Sequence, residues 1–444
     1  MENKVYIDPY PKTMKMLGLE RINIDCGNNT SIVTPANIAK DMVALLPDEV
    51  FIPESKFLDI CCKSGIFLTS IRERLMNSTA MIGAIPDYKE RYDYITNNQL
   101  YGIAPNGQCQ MYSVRAVYGT LKVDSPHILC FGAFEQYKTA CLNNNHKLLI
   151  DEMKKEFGQM KFDVVIGNPP YNKGMDLDFV DLGYKLSNKY TVMITPAKWQ
   201  TAADDYSGCA SKNINYKQFR EMYVPHMSYV CFYPQSMEVF DIYQIDGITW
   251  FIIDKNTHDS CEVINKCRVQ EYYNSSIMRP LLGRESLLNI GWEIVDSLHQ
   301  YKHFVFRQYA SNKYQVWTNN QVAGSGSRFM SDNGSSTVIG LSRILDTSKG
   351  EKSPSGASEC IFSSDNRAEC ESFVSWLNCK FTRFFVACNI SKLTGILTND
   401  YFRFVPAPPT GKFDHIYTDQ ELYEAFDLPQ KYRDVIEAVI KERK

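Results

Sequence analysis

Asn168, Pro169, Pro170 and Tyr171 stand in direct succession behind an apolar run, "FDVVIG" (162–167). An Asn side chain offers a neutral acceptor oxygen and an NH₂ donor. Proline keeps its carbonyl but has no N–H, and two in succession hold the backbone on a fixed extended path. The Tyr ring is flat, a platform of the kind on which bases stack. Two rigid acceptors beside an aromatic shelf suit a planar ring with an exocyclic amino group, whose two hydrogens need two acceptors. A tight turn in which Asn satisfies nearby backbone groups draws on the same residue types. Position favours the first reading, because the end of a buried strand is the binding edge of an α/β sheet.

"GNPPY" resembles the amino-methyltransferase signature of DNA adenine-N6 methyltransferases, and the wider chain resembles the Eco57I-like restriction–modification methylases. "TPANIAKDM" (34–42) is similar to their N-terminal cofactor segment and "FLDICCKSGIFL" (57–68) to their cofactor loop. "QLYGIA" (99–104), "VFDIYQIDGITWFIIDK" (239–255) and "YTDQELYEAFDL" (417–428) resemble later family segments, so the likeness spans essentially the whole chain. Its order, cofactor motif first and recognition region last, resembles the gamma arrangement. The tetrad alone is shared with some protein-glutamine and RNA methyltransferases; together with the 34–42 segment and the long C-terminal half it is more specific.

The resemblance implies S-adenosyl-L-methionine as cofactor and methyl transfer to N6 of an adenine extruded from double-stranded DNA. In that reading Asn168 and the Pro169 carbonyl accept from the amino group, Pro170 holds the path and Tyr171 stacks on the base. Thr34, Pro35, Asp59, Cys61, Gly65 and Phe67 would hold the cofactor. Glu135 is a candidate for its adenine, with a surface carboxylate as the alternative. Two positions depart from the family. Lys63 stands where the loop usually has Gly, and Ala104 stands where many Rossmann-like sites carry an acid for the ribose. They motivate a second reading, a catalytically silent DNA-binding or specificity subunit. Methylation of RNA or a protein amide is a third.

Such chemistry needs strands that deliver these loops to one edge. Short apolar runs at 56–60, 99–103, 127–131, 162–167, 190–196, 229–233 and 247–255 read as strands, separated by helical segments. This predicts an α/β domain with its sheet covered on both faces. Thr34 is placed to cap a helix with Pro35 in its first turn, and Ile38, Met42 and Leu45 share its apolar face. Beyond residue 260 the texture turns Ser-, Gly- and Asn-rich, with short strand-like runs. One helix is expected over 372–390 and a final strand over 402–409. The domains expected are 1–265, a Rossmann-like S-adenosylmethionine-dependent methyltransferase domain, and 266–410, a mixed α+β target-recognition domain. A C-terminal helical segment, 411–444, should pack on the recognition half.

The chain has 444 residues with a formal net charge of -3. That gives no global field for nucleic acid, so a DNA partner must meet a local patch. The basic bias lies at 301–350, where Arg307, Lys313, Arg328 and Arg343 are candidate DNA contacts. The cysteines are dilute and no Cys-x-x-Cys occurs, which argues against a disulfide scaffold or a zinc site. Cys61 and Cys62 read as small apolar filling. His299 and His303 stand four apart, a spacing that would share a helix face. No apolar run is long enough to span a membrane, and the N-terminus lacks an apolar leader, so a cytoplasmic protein is expected. The expectation is a stand-alone methylase with a separate restriction endonuclease as companion.

Overall fold

The computed structural model describes residues 5–20, 23–26, 29–142, 146–171, 174–200, 213–233, 236, 239–240, 248–256, 260–265, 285–286, 290–305, 312–319, 343–351, 358–389, 402 and 404–440. After a short helix, Tyr10–Met16, comes a hairpin, β1 (Asn23–Cys26) with β2 (Asn29–Ile32). The main sheet follows: β3 (Phe57–Asp59), β4 (Leu100–Ala104), β5 (Ile128–Cys130), β6 (Phe162–Gly167), β7 (Ser187–Pro196), β8 (Met227–Tyr233), β9 (Ile248–Asp254), β10 (Ser260–Asn265) and β11 (Glu285–Ser286). Its spatial order is β11-β10-β8-β9-β7-β6-β3-β4-β5. Strands β3 to β7 run parallel, whereas β9 lies antiparallel between β7 and β8. The seven apolar runs between residues 56 and 255 expected as strands are all present in this sheet.

From β3 the chain steps outward through β4 to β5, then returns to place β6 on the other side of β3 and moves on to β7. The order therefore reverses between β3 and β6. Because βαβ crossovers are right-handed, the two directions of travel put their helices on opposite faces. Helices Ile66–Met76, Tyr88–Asn98 and Gly107–Tyr118 pack together in one group, while Phe134–Leu142, Lys147–Phe157 and Met175–Leu186 form another. The core between them is built from fully buried strand residues such as Leu58, Ile103, Val165 and Val192.

The N-terminal segment is bound into this core by a buried ion pair. Arg72 Nε donates to Asp8 Oδ2 at 2.7 Å, and its other nitrogens donate to the carbonyls of Val117 and Ala116. Removing one partner would strand a buried charge, so the pair fixes where the segment must lie.

A second core begins at Ile294. Strands β12 (Tyr314–Asn319), β13 (Arg343–Asp346) and β14 (Ser358–Ser364) form an antiparallel sheet with β12 in the middle. Phe373, Trp376, Phe381 and Phe385 pack with Leu422, Phe426 and Ile436 of the C-terminal helices. The single helix expected over 372–390 is two, Arg367–Asn378 and Lys380–Asn389, broken at extended Cys379. The expected strand over 402–409 is reduced to one bridge, His303 to Pro406, because its prolines cannot donate to a ladder. His299 and His303 share no helix face, since the helix Ile290–Ser297 ends before both. Among the described residues no helix is long and apolar enough to cross a membrane.

Candidate active site

The order reversal puts the ends of β3 and β6 side by side, with Asp59 registered against Ile166. A crevice at such a switch point is where open α/β sheets bind ligands. Gly167 allows the two chain ends to approach closely, since a Cβ there would lie 2.9 Å from Ile60 Cγ2. The loop leaving β3 is braced from several directions. Ile60 N donates to the Ile166 carbonyl at 2.9 Å, Cys62 N to the Ile103 carbonyl at 2.9 Å, and Tyr137 Oη to the Ile60 carbonyl at 2.9 Å. Gly65 then turns into the helix at φ +80°, a left-handed conformation that disfavours other residues.

The Asn168 side chain is held by three groups, two from the segment before the helix Ala36–Ala44 and one from the tetrad itself. Its Nδ2 donates to Thr34 Oγ1 at 3.1 Å and to the Ile32 carbonyl at 3.4 Å. A carbonyl can only accept, so this partner fixes which end of the amide is nitrogen. Oδ1 is thereby committed as an acceptor. It receives the Tyr171 hydroxyl at 2.7 Å, which also lies 3.3 Å from the Ile194 carbonyl. Burial pushes the Tyr171 hydroxyl well above the usual phenol range, with the Asp176 charge adding to the effect, so it stays a neutral donor. Asn168, Pro169 and Pro170 are buried and Tyr171 half-buried, not an open shelf. A buried amide left unbonded is costly, and the chain's own hydroxyls and carbonyls supply its partners.

Thr34 does not cap the following helix as its position suggested. Pro35 is the N-cap residue of Ala36–Ala44 and no side chain caps that helix. The Thr34 hydroxyl is spent on the Asn168 amide instead.

Asp59, at the floor of the loop, accepts the Cys61 N–H at 3.1 Å. Burial pushes its carboxyl up to about 7, opposed by that N–H, the Cys62 thiol and the Lys63 charge. Cys61, Cys62 and Phe67 are buried beside it. Lys63 points inward, its ammonium donating to the Ile32 carbonyl at 3.2 Å. Ser64 is 2% exposed, and its hydroxyl has no hydrogen-bond partner among the described residues. An ammonium, an unspent hydroxyl and a tight glycine turn fit the carboxylate end of a small ligand.

The remaining candidates lie apart from these contacts. Glu135 is exposed in the first turn of its helix and pairs with Lys138 at 2.5 Å. Ala104 ends β4 fully buried, and Asn106 beyond it caps the next helix by accepting the Cys109 N–H at 2.8 Å. Lys313 is exposed, its ammonium 4.9 Å from the Tyr314 ring. Arg343 opens β13, registered against Trp317 of β12. Arg307 and Arg328 lie outside the described residues. Sequence reasoning missed the Ile32 and Ile194 carbonyls and the Ser64 hydroxyl. The carbonyls carry no residue-type signal at all, whereas Ser64 sits inside the loop motif and was open to notice.

Residues 98–178, which include the tetrad, match the family model described as Eco57I restriction-modification methylase. The chain is 25% identical to an uncharacterized adenine-specific methylase of Mycoplasma pneumoniae over 300 aligned positions, covering 52% of this chain and 69% of that one. Among solved structures it overlaps the M protein of the type I restriction enzyme EcoKI, with TM-score 0.37, 14% identity, and 51% of this chain against 44% of that one. The type I restriction-modification methyltransferase subunit of Streptococcus thermophilus gives TM-score 0.37 at 13% identity, with 58% and 52% covered. The overlap thus spans about half of each of these solved chains. These likenesses are to methylases: the family model is that of a restriction-modification methylase and the M. pneumoniae relative is described as adenine-specific.

Proposed function

We propose that the chain is an S-adenosylmethionine-dependent DNA adenine-N6 methyltransferase of a restriction–modification system. The observation that carries this reading is the orientation of Asn168. With Nδ2 spent on Ile32 and Thr34, its oxygen is fixed as an acceptor at the sheet's switch point, where the Tyr171 hydroxyl occupies the place an amino hydrogen would take. S-adenosylmethionine, when bound at the 59–65 loop, would supply a methyl group on a positively charged sulfur, which on losing that methyl becomes a neutral thioether. The loop's donors suit its amino-acid end.

An adenine within a duplex cannot reach Asn168, so it must be extruded at a cost of a few kcal/mol. The base then displaces the Tyr171 hydroxyl from Asn168 Oδ1, and the released ring becomes available for stacking. Asn168 Oδ1 and the Pro169 carbonyl take the two amino hydrogens. This draws the nitrogen out of conjugation with the ring and aims its lone pair. No strong base is required beforehand, because positive charge appears on nitrogen only as the new bond forms. Preorganised neutral acceptors therefore do most of the catalysis. The proton left on the methylated nitrogen departs afterwards through the same acceptors to solvent.

Isotopic methyl transfer to mixed-sequence duplex DNA, RNA and protein tests the proposal. Label in N6-methyladenine of DNA is the expected result. Label confined to RNA or protein, or DNA retention without label, would reject it in favour of the other two readings. Methylome mapping of DNA from cells expressing the chain would then report the target sequence.

A further inference from the structure

Resting on the S-adenosylmethionine reading above, we infer that Lys63 is a specificity residue for the cofactor. Its ammonium, with the Ser64 hydroxyl, receives the carboxylate of the methionyl group. Lys63 is 5% exposed, yet among the described residues its ammonium bonds to a single neutral oxygen, the Ile32 carbonyl at 3.2 Å, and no carboxylate pairs with it. A buried cation left in that state is unfavourable unless an anion completes it.

Asp59 is the acid that senses Lys63 electrostatically, but it is already bonded to the Cys61 N–H. Burial also holds it partly protonated near neutrality. The unpartnered Ser64 hydroxyl, on the adjacent residue, is a second donor without an occupant. An ammonium has three donors and one is spent here, while a carboxylate has about four acceptor positions. A positive side chain in this loop would repel a sulfonium. It is tolerated where the ligand's own carboxylate lies between the two charges. A lysine in place of a small residue thus makes the loop demand the carboxylate instead of merely admitting it.

The test is equilibrium binding by titration calorimetry, using the full chain and its Lys63→Met, Lys63→Arg and Lys63→Gly variants. The probes are S-adenosylhomocysteine and decarboxylated S-adenosylhomocysteine, which differ only in the carboxylate. For Lys63→Met, S-adenosylhomocysteine should bind at least about tenfold more weakly and the decarboxylated ligand within about twofold of the unmodified chain. Lys63→Arg should restore most of the loss, and Lys63→Gly should behave like the Met variant. Equal loss of both ligands would make Lys63 a structural residue and overturn the inference, as would unchanged S-adenosylhomocysteine binding. If the unmodified chain binds neither ligand, the cofactor reading itself fails and takes the inference with it.

Discussion

At the scale of single residues, Asn168 and Asp59 stand at the ends of two neighbouring strands, one a fixed neutral acceptor and the other a buried acid. Asn168 must stay neutral and accept, and its partners leave its oxygen no other role. Asn168→Ala should lower methyl transfer by at least about 10²-fold, with S-adenosylhomocysteine affinity kept within a few-fold. Single-turnover rates and calorimetry separate the two effects, and a parallel loss of cofactor binding would show that the residue serves a different ligand. Asp59 is a buried acid with its carboxyl pushed up to about 7. Between its ordinary value near 3.8 and about 7, the folded chain holds a proton that the unfolded chain has released. Its stabilising contribution is therefore present in acid and is lost as pH rises through about 7. Relative to Asp59→Asn, the unmodified chain should lose about 2–3 kcal/mol of stability between about pH 5 and about pH 8. Denaturant melts of both proteins at the two pH values measure it, and a constant difference would mean the carboxyl is not desolvated.

At the scale of elements, the strands were legible because buried strands in a doubly covered sheet read as continuous apolar runs. Boundaries fell within a residue or two of the runs "FDVVIG" and "GITWFIIDK". The helices Tyr88–Asn98 and Thr79–Ala84 went unread because their apolar face is thin, and the break at Cys379 because nothing in "SWLNCKFTRFF" marks a stop. The turn into the helix Ile66–Met76 depends on Gly65 for two independent reasons. Its φ is +80°, and a Cβ there would meet Ala116 Cβ at 2.8 Å. Gly65→Ala should cost about 2–4 kcal/mol by strain and by pushing apart Ile66–Met76 and Gly107–Tyr118. Chemical denaturation detects this, and a near-neutral result would mean the loop has room to relax.

At the scale of the whole molecule, a net charge of -3 has to be reconciled with a polyanionic partner. If DNA is held by a local basic patch, retention on duplex DNA should fall by at least about tenfold between roughly 50 and 200 mM salt. Filter retention across that range decides it, and salt-independent binding would reject the electrostatic picture. The described residues form two hydrophobic cores, and the C-terminal helices pack into the second. Residue types and apolar spacing by themselves determined the α/β class, the seven strands from β3 to β9 and the chemical character of the tetrad, because these depend on neighbours along the chain. Only the tertiary structure decided that Thr34 serves Asn168 and not its own helix, that Tyr171 bonds the acceptor oxygen, and that Lys63 turns inward. Each of those contacts joins segments from about thirty to more than a hundred residues apart or picks between two local partners for one polar atom. Sequence lists which groups are able to bond, and burial, by removing water as a partner, settles which of them do.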